Sequence, residues 1–293
     1  MNAEVAHPRT VAAVAERLGA AGVPSARADA RWLVEHVAST VGEPEGAGAA
    51  LLEELTARRE AREPLQLILG STAFRHLELL CAPGVFVPRP ETEVVAGAAI
   101  AAVREASAKG RDGVRVVEVG TGTGAIALSL AAEVAGVEVV AGDRDPAAVA
   151  LARRNLRRVA AGEAGGPLAQ GSHVEVVTSD LLDDVESGWR GTVDVLVSNP
   201  PYLPARDRVT WEPEVRDHDP EAALVGGVDG HELVDRLLLL AASWLASGGA
   251  VVIEIDERRV AAARTAAREA GLADVEVVAD LTGAARAVTG RRR

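Results

Sequence analysis

The sequence predicts an α/β protein in which a mostly parallel sheet is covered by helices and a small helical unit precedes it. Three observations carry this. Short β-branched runs alternate with helical stretches from Val114 to the C-terminus. A glycine-rich turn, Gly120-Thr121-Gly122-Thr123-Gly124, stands between one such run and a helix. Another run, Val193 to Val197, stops at Asn199-Pro200-Pro201-Tyr202. Proline fixes φ and has no N–H, and it forces the preceding residue to be extended, so Asn199 is held at a strand's carboxyl end. Open α/β sheets put their ligands at such ends.

The elements follow in order. Thr10 to Ala20, Ser25 to Val37 and Leu51 to Arg62 read as helices, with Ser25 as an N-cap and a loop over Val41 to Gly48. Leu65 to Leu69 and Phe74 to Leu80 read as two strands around Gly70-Ser71. A helix runs from Glu91 to Lys109, with Pro90 in its first turn. Strands are expected at 114–119, 137–141, 174–177, 193–197, 250–255 and 275–278, and helices at 124–133, 146–159, 230–245 and 257–270. Three regions result: a helical unit over 1–62, a hairpin joint over 63–89 and an α/β domain over 90–293. The helical unit carries no cluster of catalytic residue types, and packing domain and substrate platform remain equally good readings. The tail Arg291 to Arg293 reads as a solvated end.

Composition narrows the function. Of 293 residues 48% are apolar and 2% aromatic, so a large core must be built from Ala, Val and Leu. The net charge of −12 argues against a phosphate backbone as the main partner, because such binding needs clustered positive charge. Cys81 is the single cysteine, which excludes an internal disulfide and a multi-cysteine metal site and fits a reducing cytoplasm. No metal site is expected. No signal peptide is evident at the N-terminus. The apolar stretch Leu237 to Ala246 is too short to span a bilayer. No separate apolar stripe stands out, so a monomer is expected.

The glycine turn lets the backbone bend sharply beside a helix N-terminus, and Asp143 at the next strand end can accept hydrogen bonds from ribose hydroxyls. These residues alone specify a nucleoside-containing cofactor, since Gly120, Gly122 and Ala125 also satisfy the dinucleotide fingerprint. The second motif separates the options. Hydride transfer usually enlists a His or Tyr acid/base, but the six histidines are scattered and read as surface or packing residues. Asn199-Pro200-Pro201-Tyr202 instead suits an acceptor with an NH₂ on a planar π-system. The Asn199 oxygen and the Pro200 carbonyl can each accept one N–H, and Tyr202 can stack on the plane. Two acceptors favour the pyramidal, nucleophilic nitrogen and stabilise charge developing on it. The partner reactant is a sulfonium methyl, and positioning supplies most of the rest.

With these motifs the sequence resembles the S-adenosylmethionine-dependent amino-methyltransferases, and within them the HemK/PrmC-type peptide chain release factor glutamine methyltransferases. The resemblance runs from about Glu63 to the C-terminus. It rests on Glu63-Pro64-Leu65-Gln66, on Pro83 to Glu93 with its Pro-Arg-Pro-Glu-Thr-Glu, and on Glu118 to Ile126. Asp145-Pro146, Ser179-Asp180-Leu181, Val197 to Tyr202 and Glu214 to Gly230 extend it. It implies a Rossmann-like, seven-stranded class I methyltransferase domain behind a helical N-terminal domain and a β-hairpin linker. It implies S-adenosylmethionine on Glu118, Gly120, Thr121, Gly122, Thr123, Gly124, Asp143, Arg144 and Asn199, with Asp180 and Leu181 by the adenine. Asn199, Pro200 and Tyr202 would act in catalysis, and Asn199 to Tyr202 would hold the substrate glutamine. Arg89, Glu91 and Thr92 would line the cleft. The implied substrate is the Gly-Gly-Gln glutamine of class-I release factors, methylated on its side-chain nitrogen. Asp256, Leu181 and the pair Arg75-His76 depart from the family pattern and bear on the substrate more than on the reaction. The alternatives are an amino-methyltransferase of nucleic acid (adenine), of another glutamine-bearing protein or of a small-molecule amide, and a binding protein that has lost catalysis.

Overall fold

The computed structural model describes residues 8–42, 46–111 and 113–293. Two compact units emerge, one of residues 1–71 with 212–218 and one of residues 72–211 with 219–293.

The first unit is helical. Helices α1 (Pro8–Ala20), α2 (Ala26–Val41), α3 (Ala49–Glu60) and α4 (Leu65–Leu69) enclose a small core that includes Leu18, Leu33, Val37, Leu55 and Ile68. Ser25 precedes α2 but makes no side-chain cap; its backbone carbonyl accepts from the Asp29 N–H instead. The expected loop over 41–48 lies partly outside the described residues, at 43–45, and Gly46–Gly48 forms a 3₁₀ turn. The run Leu65 to Leu69 is a helix, not the strand its composition suggests. Four apolar residues in a run of five, broken only by Gln66, are too few to show a helical period, and Pro64 before them and left-handed Gly70 after them bound a single helical turn. Within this unit Arg59 is buried against Asp29 at 2.8 Å, and Arg59 and Arg62 both grip Glu214 of the short helix Pro213–His218.

The second unit begins with a hairpin, β1 (Ser71–Phe74) and β2 (Leu77–Leu80), which turns at Arg75-His76 rather than at Gly70-Ser71. Helix α5 spans Thr92–Ala108, so Pro90 falls just outside its first turn. The chain then alternates β3 (Val114–Val119), α6 (Ala125–Glu133), β4 (Val137–Asp143), α7 (Pro146–Ala160), β5 (His173–Thr178) and β6 (Val193–Ser198). After the Pro213–His218 helix (α8) come α9 (Glu232–Trp244), β7 (Leu245–Glu254), α10 (Val260–Glu269), β8 (Ala273–Ala279) and β9 (Ala285–Arg291).

The sheet order is β5-β4-β3-β6-β7-β9-β8. The pairs from β5 to β7 are parallel, and β9 is antiparallel to both neighbours. Strand β9 escapes sequence reasoning because Arg286, Thr289, Gly290 and Arg291 interrupt its apolar pattern. Its middle, Ala287 and Val288, is nevertheless buried between β7 and β8. Arg291, expected in a solvated tail, is a paired strand residue, and Arg292 donates to the Leu245 carbonyl. Successive residues of β6 face opposite sides of the sheet. Val195 and Val197 join a core with α5, α6 and α7, while Leu196 joins one with α9 and α10.

Strand order reverses at β3, whose neighbours are β4 and β6, and this makes a crevice at the carboxyl ends. Register fixes what borders it. Val119 pairs with Gly142 and with Ser198, and Ser198 pairs with Ile253. One residue further along, Asp143, Gly120, Asn199 and Glu254 therefore form a single rank across four strand ends.

Candidate active site

The β3 end of this rank is made of backbone. Gly120, Gly122 and Gly124 have φ of 73°, 55° and 86°, a region that side chains with a Cβ enter only at a cost. A Cβ on Gly124 would lie 3.0 Å from Leu128 Cδ1. Gly120 and Thr121 donate their N–H groups to the Gly142 carbonyl, and Gly122 donates to Asp143 Oδ2 at 2.9 Å. Asp143 Oδ1 accepts from the Asp145 N–H at 2.9 Å. Each Asp143 oxygen keeps a second lone pair for a ligand. Burial raises the Asp143 carboxyl, and the two N–H donors oppose that rise.

Beneath the turn, Glu118 is buried and its Oε2 accepts from the Thr121 hydroxyl at 2.6 Å and the Ala127 N–H at 3.1 Å. Burial pushes its carboxyl up to about 8. Asn155 of α7 ties the turn to the hairpin: its Nδ2 donates to the Thr123 and Leu80 carbonyls, and its Oδ1 accepts from the Leu80 N–H.

The β6 end is made of side chains and prolines. Ser198 donates its hydroxyl to the Val119 carbonyl at 2.7 Å, locking β6 against β3. Asn199 Nδ2 donates to the Thr92 hydroxyl at 3.1 Å. No backbone N–H among the described residues donates to the Pro200 carbonyl. Tyr202 donates its hydroxyl to Glu254 Oε1 at 3.1 Å, and burial together with that carboxylate holds its phenol far above the usual value. Gly226 and Gly230 have their reason here, since a Cβ would come within 2.3 Å of the Pro201 carbonyl oxygen at the first and within 2.4 Å of the Tyr202 carbonyl oxygen at the second.

The two ends open into one shared cavity. Of the residues expected at the site, Glu118, Gly120, Thr121, Gly122, Thr123, Asp143, Arg144, Asp180, Leu181, Asn199, Pro201 and Thr92 line it. Gly124, Pro200, Tyr202, Arg89 and Glu91 do not. Tyr202 packs instead beside the core under α9. Arg89 lies over the Phe86 ring at 5.0 Å and pairs with buried Asp219, so it joins the 84–88 segment to the 219–223 segment. Both segments wall the cavity, through Phe86, Pro88, Pro220 and Ala223 among others. Leu181 holds a left-handed φ of 57° that Gly or Asn adopts more readily. Ser179 fixes this bend by donating to the Leu181 carbonyl and accepting from the Asp184 N–H. Sequence reasoning gave no role to Phe86, Ser179 or Glu254. Phe86 is one of only two phenylalanines, and its place before the Pro-Arg-Pro segment was the available signal.

A reversing sheet, a glycine turn beside a carboxylate and an Asn-Pro-Pro-Tyr strand end define a class I methyltransferase. A family model described as methyltransferase small domain matches residues 77–212. A crystal structure of a methyltransferase from Pyrococcus furiosus shares the fold, with a TM-score of 0.50 and 21% identity over 84% of this chain and 97% of that one. The chain is 41% identical over 290 residues to the release factor glutamine methyltransferase of Streptomyces coelicolor, covering 96% of each. It is 39% identical over 293 residues to that of Mycolicibacterium smegmatis, again covering 96% of each. The chain belongs to the release factor glutamine methyltransferase family.

Among the described residues no group of three or more His, Cys, Asp or Glu is arranged to hold a metal ion. No helix among them is long and apolar enough to cross a membrane.

Proposed function

We propose that this protein transfers a methyl group from S-adenosylmethionine to the side-chain nitrogen of the glutamine in the Gly-Gly-Gln motif of class-I release factors. The observation that carries this reading is the rank Asp143-Gly120-Asn199, which sets a nucleoside cradle beside an amide acceptor in one cavity.

The residues present fit the cofactor. Left-handed Gly120 and Gly122 leave two cavity-lining positions of the β3 turn without side chains, and Asp143 retains acceptor capacity toward ribose hydroxyls. Arg144 and Asp180 stand at the cavity mouth, and Leu181 offers an apolar face to the adenine. S-adenosylmethionine supplies an electrophilic methyl on sulfur. Everything else falls to the chain's own groups. Asn199 Oδ1 and the Pro200 carbonyl accept the two N–H groups of the substrate amide and hold its nitrogen toward the cavity. As positive charge grows on that nitrogen both acceptors bind it more tightly, which is where the rate is gained. No strong base is needed, because the methylated nitrogen is acidic. Phe86, Pro88 and Pro220 give the cavity apolar walls.

The helical unit, with Trp32 exposed on α2, serves as the platform for the release factor in this reading. A single buried Cys81 fits a reducing cytoplasm, and nothing in the chemistry requires a second copy of the chain.

The test incubates the protein with labelled S-adenosylmethionine and either a class-I release factor or DNA, then locates the label by mass spectrometry. One added methyl on the Gly-Gly-Gln glutamine is the expected result, and label in DNA alone refutes the proposal.

A further inference from the structure

We propose that Glu254 is a positioning residue for methyl transfer, acting through Thr92 to hold the Asn199 amide with its oxygen toward the substrate. This rests on the reading of Asn199 as an acceptor for the glutamine amide.

Glu254 is the last residue of β7, and register places it beside Asn199 in the rank of strand ends. It is 3% exposed. Its Oε1 accepts from the Tyr202 hydroxyl at 3.1 Å. The Thr92 hydroxyl, also 3% exposed, stands near the same carboxyl and favours its charged form. Oε2 is buried and accepts no hydrogen bond from the described residues, which leaves it open to the Thr92 proton. Thr92 in turn accepts from Asn199 Nδ2 at 3.1 Å.

These contacts run in one direction. A carboxylate can only accept hydrogen bonds. The Thr92 proton therefore goes to Glu254, and the Thr92 oxygen is left as an acceptor. Whatever end of Asn199 faces that oxygen must donate, so it is the NH₂. The other end, Oδ1, is turned away from Thr92 and remains for a ligand in the cavity that Asn199 lines. An amide flipped end for end would set its NH₂ against the substrate's NH₂, two donors with no acceptor between them. Asparagine alone carries no preference between these orientations; the buried carboxylate supplies it. The same carboxylate holds the far end of the motif through Tyr202, which gives Tyr202 a role without placing its ring in the cavity.

The arrangement carries a pH signature. Burial pushes the Glu254 carboxyl up to about 7, with Glu91 acting the same way, while Thr92, Tyr202 and Arg286 of β9 act against it. Asp256 faces the Tyr202 end. As pH falls through about 7 the carboxyl gains a proton and becomes a donor toward Thr92. The Thr92 proton is then released to the Asn199 side, where it meets the amide oxygen of the flipped form. Turnover falls on the acid side.

The experiment measures kcat and KM with S-adenosylmethionine and a release factor across this pH range, for wild type, Glu254→Gln, Thr92→Val, Thr92→Ser and Asn199→Ala. Calorimetry of S-adenosylmethionine binding accompanies it. Glu254→Gln is expected to lose roughly tenfold or more in kcat, keep its cofactor affinity and lose the acid limb of the profile. Thr92→Val should behave alike, and Thr92→Ser should restore turnover. Wild-type kcat with an intact acid limb in Glu254→Gln overturns the proposal. Should that variant not fold, equal kcat in Thr92→Val and Thr92→Ser overturns it. If Asn199→Ala is slow while the Glu254 and Thr92 variants are fast, only the relay falls. If Asn199→Ala is also fast, the reading of Asn199 falls with it.

Discussion

The ends of β3 and β6 lie side by side in one sheet and are built by opposite means. At β3 the chain removes side chains: left-handed Gly120 and Gly122 bring the backbone to the cavity, and its anchors, Glu118 and Asp143, come from the same strand or the next. At β6 the chain adds constraints: two prolines stiffen the backbone, and Asn199 and Tyr202 are tied to Thr92 and Glu254, which stand 107 and 52 residues away in sequence. A cradle for a fixed cofactor can be made locally from backbone. An acceptor that must discriminate donor from acceptor on its substrate needs distant side chains to fix its orientation.

Substitutions at the two ends should separate along that line. The largest effect belongs to β6. Asn199→Ala should lower kcat by about a hundredfold or more while leaving S-adenosylmethionine affinity within a few-fold, the scale of one lost transition-state contact. Single-turnover kinetics beside calorimetry measure both, and a joint loss of affinity would blur the division between the ends.

Asp143→Ala should act in the reverse sense. It removes an ionised acceptor, worth about 1.5–3 kcal/mol, and so should weaken cofactor binding by roughly tenfold or more. Asp143→Asn keeps one acceptor oxygen and should fall between the two. Calorimetry showing unchanged affinity in Asp143→Ala would remove that carboxylate from the cradle.

Gly124→Ala tests the backbone itself. The added Cβ meets a left-handed φ of 86° and the Leu128 side chain, for a loss of about 1–2 kcal/mol of stability. Thermal unfolding reads this directly. Activity per folded molecule should change less than in Asp143→Ala, since Gly124 does not line the cavity.

A further test is a pH slope. The Glu118 carboxyl rises from an ordinary 4.5 to about 8 in the folded protein, so the folded state holds that proton more tightly than the unfolded one. The stability this gives is complete below about 4.5 and is lost as pH rises through about 8. Tm should decline across that window, and Glu118→Gln, which keeps an acceptor for Thr121 and Ala127, should flatten the decline. An equal slope in the variant would mean that other groups set it.

The strands and helices from β3 to α7 were legible because each carries its own period and its own boundary residues, such as Asp145-Pro146 at the start of α7, where Asp145 Oδ1 accepts from the Ala147 N–H. Leu65 to Leu69 misled because a run of five residues, four of them apolar, has too short a span to show a period. Strand β9 misled because burial on both sides by β7 and β8, not its own hydrophobicity, makes it a strand. Phe86, Ser179 and Glu254 were passed over for a common reason: each acts on a residue that is distant in sequence or through a bend that no motif marks.

The sequence by itself determined that a glycine turn, an acid and an Asn-Pro-Pro-Tyr segment would end neighbouring strands of a mostly parallel sheet. Glycine permits left-handed turns and proline forbids strand continuation wherever they occur, so these are local facts. Only the tertiary structure decided that Asp143, Gly120, Asn199 and Glu254 stand in one rank, and that Thr92 meets the Asn199 amide. Strand order and register are set by how two hydrophobic faces close over a sheet, and no stretch of chain encodes its neighbour's register alone.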